Sequence, residues 1–137
     1  MFPISDEVKD IETRQDVEKL IDHFYVKVLS DDQIGSIFKE AIEFVWEKHI
    51  PIMYDFWASI LFDTSDYKGN PISKHIELDR KVKLTVAHFD RWLQLWEASL
   101  NENFRGELTN KAYDKAVLMK EIMLFKIAKS KNNNFIQ

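Results

Sequence analysis

Val17, Leu20, Ile21, Phe24 and Val28 recur at the i, i+3, i+4 spacing of one buried helix face. Ser30-Asp31-Asp32 ends that pattern with turn and cap chemistry. A second helical pattern runs through Ile34, Ile37, Phe38, Ala41, Ile42, Val45 and Trp46. A third follows through His49, Met53, Phe56, Trp57, Ile60 and Leu61. Pro51 cannot donate a backbone hydrogen bond and disfavours helix at Ile50, so the chain is expected to kink or restart near there.

Residues 63–71, DTSDYKGNP, are the most loop-like stretch, and Pro71 suits the first turn of a new helix. The segment Pro71 to Leu78 predicts a short helix carrying His75, and DRKVK after it reads as a solvated loop. Thr85 can cap a longer helix through Phe89, Trp92, Leu93, Trp96 and Leu100. Gly106 breaks the chain, and Thr109 can start a last helix through Ala112, Ala116, Met119, Met123 and Ile127. No alternating strand pattern competes, so the fold class is all-α, expected as a single domain over 1–137 with frayed tails at 1–12 and 130–137.

Composition sharpens the reading. Gly and Pro sum to six in 137 residues, against an average of about 12%, so the elements are few and long. Ten Phe, four Tyr and four Trp are more rings than a small helical core needs, which hints at something large and flat being packed. There is no cysteine, which excludes a disulfide scaffold, a thiolate metal site and a cysteine nucleophile. A net charge of −4 without a basic block argues against nucleic-acid binding. A membrane span needs about 20 apolar residues, whereas the longest run free of Asp, Glu, Lys and Arg is Phe56 to Phe62. No secretory signal is visible, so a soluble, cytoplasmic protein is expected.

The usual small-enzyme motifs are missing. His23, His49, His75 and His88 form no Glu-x-x-His or His-Glu-x-x-His pair, and the three glycines make no phosphate loop. His49 shares a helix face with Met53, Phe56 and Trp57, and His75 follows 26 residues later on a short helix. That separation lets one helix go out and the chain fold back, so the two imidazoles can face each other across a gap. An aromatic-lined gap between histidines suits a haem, although a histidine on an apolar face is also an ordinary hydrogen-bonded core residue.

Phe24-Tyr25-Val26-Lys27-Val28, Ile34-Gly35-Ser36-Ile37-Phe38 and Trp46-Glu47-Lys48-His49-Ile50-Pro51-Ile52-Met53-Tyr54-Asp55-Phe56-Trp57 say more. Tyr67-Lys68-Gly69-Asn70-Pro71, His75 and His88-Phe89-Asp90-Arg91-Trp92-Leu93 continue them in order. The set, spanning residues 24 to 93, resembles the group III truncated haemoglobins. The double-glycine motifs of other truncated globins are missing, in keeping with that group. The resemblance implies a two-over-two helical sandwich around haem b (iron protoporphyrin IX). It implies His75 as the proximal iron ligand and Tyr25, His49 and Trp92 as distal residues facing the bound ligand. Phe38, Met53, Trp57 and Phe89 match wall positions.

A phenol O–H and an indole N–H can stabilise negative charge on bound dioxygen without carrying charge themselves. His49 can stand as a gate or bind the iron itself. Other readings exist beside these: a surface histidine for His75, a core-edge tyrosine for Tyr25, an interior tryptophan beside Trp96 for Trp92. His23 and His88 fit structural roles, though His88 can approach a haem propionate, as can Lys68 and Lys74. Met119 and Met123 read as core.

The resemblance therefore implies a haem protein that binds dioxygen, nitric oxide or carbon monoxide. Its expected use is redox chemistry, as a nitric oxide dioxygenase or a peroxidase-like enzyme. A separate reductase is expected, because the chain has no flavin or nicotinamide motif. A carrier or sensor without turnover, and a helical interaction domain without haem, are the alternatives.

Overall fold

Thr13 begins the ordered architecture by closing a reciprocal cap. Its hydroxyl accepts from Asp16 N–H while the Asp16 carboxylate accepts from Thr13 N–H. The helix it opens, α1 (Arg14–Leu29), buries Val17, Leu20, Ile21, Phe24, Tyr25 and Val28 and stops at Ser30, as the sequence pattern requires. The computed structural model describes residues 8–41, 45–64, 69 and 71–136, the side chains at 41, 71–73, 76, 81 and 131–136 excepted.

The second pattern follows its periodicity only in part. Ile34 and Ile37 are buried; the chain turns over residues 32–34, is helical at Gly35 and Ser36 and passes into a short π-helical turn, Ile37–Ala41. The Asp31 carboxylate starts this stretch, accepting from the backbone N–H groups of Gln33 and Ile34 as a cap does after α1 ends. The next helix, α2 (Trp46–Phe62), starts at Trp46 and runs through Pro51, so the expected break near Pro51 lies five residues earlier. Pro51 faces solvent, and Ile50 beside it is buried. α2 ends on Asp63, which takes the left-handed conformation at φ 55°.

α3 (Pro71–Lys81) carries His75 and extends through Asp79-Arg80-Lys81, part of the segment expected as a loop. The Asp79 carboxylate stops the chain beyond it by accepting from Leu84 N–H at 2.9 Å. α4 (Val86–Asn103) is capped by Thr85, as expected, and His88 completes the cap by accepting from Thr85 N–H through Nδ1. α5 (Glu107–Ile136) starts two residues before Thr109. It runs past Ile127 through most of the expected C-terminal tail.

Two helix pairs are laid one over the other. α1 packs on α2, α4 packs on α5, and the pairs meet through α1 on α4 and α2 on α5, while α3 leans on α5. Among the described residues the only strand-like pairing is an isolated bridge between Lys9 and Phe104. No described helix is long and apolar enough to cross a membrane.

That bridge belongs to a device at the N-terminus. The Asp10 carboxylate accepts from Leu108 N–H, Thr109 N–H and the Thr109 hydroxyl at 2.8–2.9 Å, capping α5 from almost a hundred residues away. Residues 9–11, expected in a frayed tail, are thus docked, with Ile11 fully buried. Gly106 is required there: its φ is 147°, and a Cβ at that position would stand 2.5 Å from Asp10 Cγ. Burial opposes the Asp10 charge, but the bonds from Leu108, Thr109 and Ile11 outweigh it and hold the carboxyl below its ordinary pKa.

Asp10→Ala is expected to cost about 2 kcal/mol, at the upper end for a helix cap, read as a lower urea midpoint. Because the folded-state pKa is depressed, this contribution is present above pH about 4 and is lost as pH falls below it. The gap between wild type and variant should therefore close in acid.

Candidate functional site

α4 carries Phe89, Trp92 and Trp96 at i, i+3 and i+7, a spacing that places all three on one face. Each ring meets a different element. Phe89 is buried and lies 6.1 Å, centroid to centroid, from the imidazole of His75 on α3. Trp92 is half-buried and meets Phe24 of α1 edge-on at 6.1 Å. Trp96 is fully buried and stacks on Trp57 of α2 at 4.4 Å. Trp96 also takes Phe24 edge-on at 5.0 Å, and its indole N–H donates to the Ala112 carbonyl of α5. The planes of Trp92 and Trp96 are parallel to within 3°.

Tyr25 extends this ring system across α1. It contacts Phe24 at 4.9 Å and Phe38, in the π-helical turn, at 5.9 Å. The phenol is buried, and burial alone raises its pKa well above the ordinary value, so it stays protonated and remains a donor. On α2, His49, Met53 and Trp57 follow one another at intervals of four and so share a face. His49 and Met53 are half-buried, and Trp57 is buried. Burial, and then the nearby Lys48 charge, lower the His49 pKa and favour the neutral imidazole.

The structure thus joins Tyr25 to Phe38, Trp57 to Trp92 through Trp96, and His75 to Phe89. Phe24 and Trp96 are the hubs the sequence reading treated as ordinary core. Their signal was there, in the helical spacing that puts Phe24 beside Tyr25 and Trp96 one turn from Trp92. Of the remaining candidates, His88 serves the α4 cap, Met123 is core and Lys74 is exposed. Tyr67, Lys68 and Asn70 lie outside the described residues.

A second missed feature braces the site. Asp31, whose side chain is 5% exposed, accepts from Arg91 Nε at 2.8 Å and from its Nη2 at 2.7 Å. Burial opposes the Asp31 charge, but Arg91 and the two turn amides hold its pKa down. This pair ties the turn that positions Phe38 to the residue next to Trp92. Gln33, donating to the Ala87 carbonyl, reinforces it.

The donor set fits a haem. Among the described residues there is no cluster of three His, Asp or Glu side chains able to hold a metal ion. A haem iron is held mostly by its porphyrin, and an imidazole such as that of His75 is the kind of ligand a protein adds to it. His75 supplies an imidazole beside the apolar ring of Phe89, and Tyr25 supplies a buried, protonated phenol among the rings of Phe24 and Phe38.

Over residues 9–125 the chain matches the family described as bacterial-like globin. It is 33% identical over 109 residues to the group 3 truncated hemoglobin ctb of Campylobacter jejuni subsp. jejuni, covering 77% of this chain and 84% of that protein. The crystal structure of the group III truncated hemoglobin from Campylobacter jejuni superposes with a TM-score of 0.76 at 29% identity. That match covers 85% of this chain and 91% of the other.

Removing the Trp96 hub should loosen every wall at once. Trp96→Ala is expected to cost about 3–5 kcal/mol of folding stability, measured by urea unfolding.

Proposed function

Because the chain belongs to the bacterial-like globin family, as a group 3 truncated haemoglobin that binds a diatomic ligand at haem, we propose that it holds haem b through His75 and uses dioxygen and nitric oxide in redox chemistry. The observation that carries this reading is the buried, protonated Tyr25 phenol within an aromatic wall. When bound, the haem supplies an iron that takes a diatomic ligand and moves between ferrous and ferric states.

The chain's own residues do the rest. His75 would present an imidazole nitrogen to the iron. Tyr25 keeps its proton through the physiological range and offers it to a ligand that carries negative charge. Trp92 offers an indole N–H, a donor that cannot become charged by losing its proton in that range. Each such bond contributes on the order of 1 kcal/mol, so two slow ligand escape by roughly tenfold or more. His49, held neutral, stands at the distal wall as a gate or a sixth ligand. Phe38, Met53, Trp57 and Phe89 exclude water, which strengthens both donors.

A pocket that retains its ligand favours reaction over delivery. Nitric oxide dioxygenation and peroxidase-like turnover both need that retention. Both also need electrons, which a separate reductase in the cytoplasm would supply. Carbon monoxide serves as the spectroscopic probe of the same position.

Purified protein titrated with haem should give a Soret band that shifts on reduction and again with carbon monoxide. A folded, helical chain that takes up no stoichiometric haem would overturn the reading. His75→Ala should lose its haem on gel filtration while keeping its helical circular dichroism. A five-coordinate, histidine-ligated haem surviving in that variant would remove His75 from the site.

Tyr25→Phe should speed dioxygen dissociation at least severalfold in flash photolysis. Because the Tyr25 pKa is raised, the wild-type rate should show no phenol titration between pH 6 and 9. An unchanged rate in the variant would exclude the phenol as a donor.

A further inference from the structure

α5 buries Ala112, Ala116, Met123 and Ile127 against the other helices. Its opposite side is not a plain solvated face. Leu118, Ile122 and Phe125 lie there with 47%, 37% and 63% of their surface exposed. At about 100° per residue, Lys111 and Lys115 fall in line before these three, and Lys126 and Lys129 fall in line after them, within one wedge of about 100°. Lys120 lies on the far side and pairs with Asp90 of α4 at 2.8 Å. α5 holds six lysines against Glu107, Asp114 and Glu121, a surplus of three positive charges. The whole chain is at −4, so the remainder is at −7.

We propose that this face of α5 is the docking surface for a strongly acidic one-electron carrier protein, one whose contact patch is an apolar centre rimmed by carboxylates. The inference rests on the haem reading above and names the partner that reading needs. Three apolar side chains between two lysine pairs match such a patch in both charge and greasiness, and the charge asymmetry of the chain orients an acidic partner toward α5. The position is also apt: α5 packs on α3, the helix that carries His75, so a carrier docked there is one helix from the proximal imidazole. One electron leaves the carrier, which is oxidised, and one enters the haem site, which is reduced; no bond forms or breaks.

A protein fits better than a lipid surface. Asp114 and Glu121 border the same face, and an anionic membrane would repel both, whereas a protein rim can place its own donors against them. A second copy of the chain would bring like lysines together.

The test uses the haem-loaded full chain and reduced plant-type [2Fe–2S] ferredoxin, an acidic one-electron carrier. Association, followed by sedimentation, should weaken at least tenfold between low and high salt. It should weaken at least tenfold again when Lys111→Glu, Lys115→Glu, Lys126→Glu and Lys129→Glu are combined. The corresponding Lys→Gln set, a milder change to the fold, should give a smaller loss in the same direction. The rate of reduction by ferredoxin should fall in parallel, while reduction by a neutral hydroquinone and the Soret band stay unchanged. Association that ignores both lysine sets overturns the proposal. So does a lysine-dependent affinity for phosphatidylserine vesicles, or self-association lost in Ile122→Asp, without ferredoxin binding. A chain with no Soret band before ferredoxin is added fails the haem reading instead, and ferredoxin association of the same chain still judges the surface.

Discussion

The ring face of α4 is the constraint on which the rest of the architecture depends. Phe89, Trp92 and Trp96 are rigidly spaced by one helix, and each meets a ring on a different element. An edge-on or stacked pair adds about 0.5–1.5 kcal/mol beyond the area it buries. The geometric effect is larger than the energy. Aromatic rings have few rotamers, so locking Trp96 between Phe24 and Trp57 fixes the separation of α1 and α2 from α4. The proposed pocket inherits its walls from that separation.

Carboxylates finish what the rings begin. Asp10 and Asp31 each accept from a distant part of the chain as well as from near neighbours, and both stay ionised although burial opposes it. Asp10 holds the start of α5 to the N-terminal segment, and Gly106 makes room for it. Asp31 holds the turn after α1 to Arg91. One anchors the helix that carries the basic outer face, and the other supports the wall around Phe38 and Tyr25. Directional bonds thus tie the N-terminal segment to α5 and the turn after α1 to α4, while rings hold α1, α2 and α4 together.

Particular residues show where a sequence reading reaches and where it stops. The buried face of α1 was legible because five apolar positions share one period and Ser30 ends it. The α4 cap at Thr85 was legible for a similar local reason. The stretch from Ile34 to Trp46 has the same helical spacing, and its described part is helical from Gly35 to Ala41, though it passes into a π-helical turn and a new helix starts at Trp46. Asp31 starts it by accepting from the Gln33 and Ile34 N–H groups, and periodicity is blind to the widening into a π-helical turn that follows. Pro51 marked a boundary that actually falls at Trp46, because a proline facing solvent removes only one bond from a helix otherwise held by its buried side. The fold class and the family were legible from spacing and from an ordered set of motifs, and the match over residues 9–125 agrees.

By itself the sequence determined the all-α class, the identity of the chemically able residues and the sign of their chemistry: an imidazole on α3, a phenol on α1, an indole on α4. Those are local properties, carried by residue type and period. Only the tertiary structure decided that Phe24 and Trp96 are hubs, that Asp10 caps a helix almost a hundred residues away, and that Tyr25 is buried enough to keep its proton at any physiological pH. Long-range contact and desolvation arise from where the chain returns to itself, and no local pattern encodes either one.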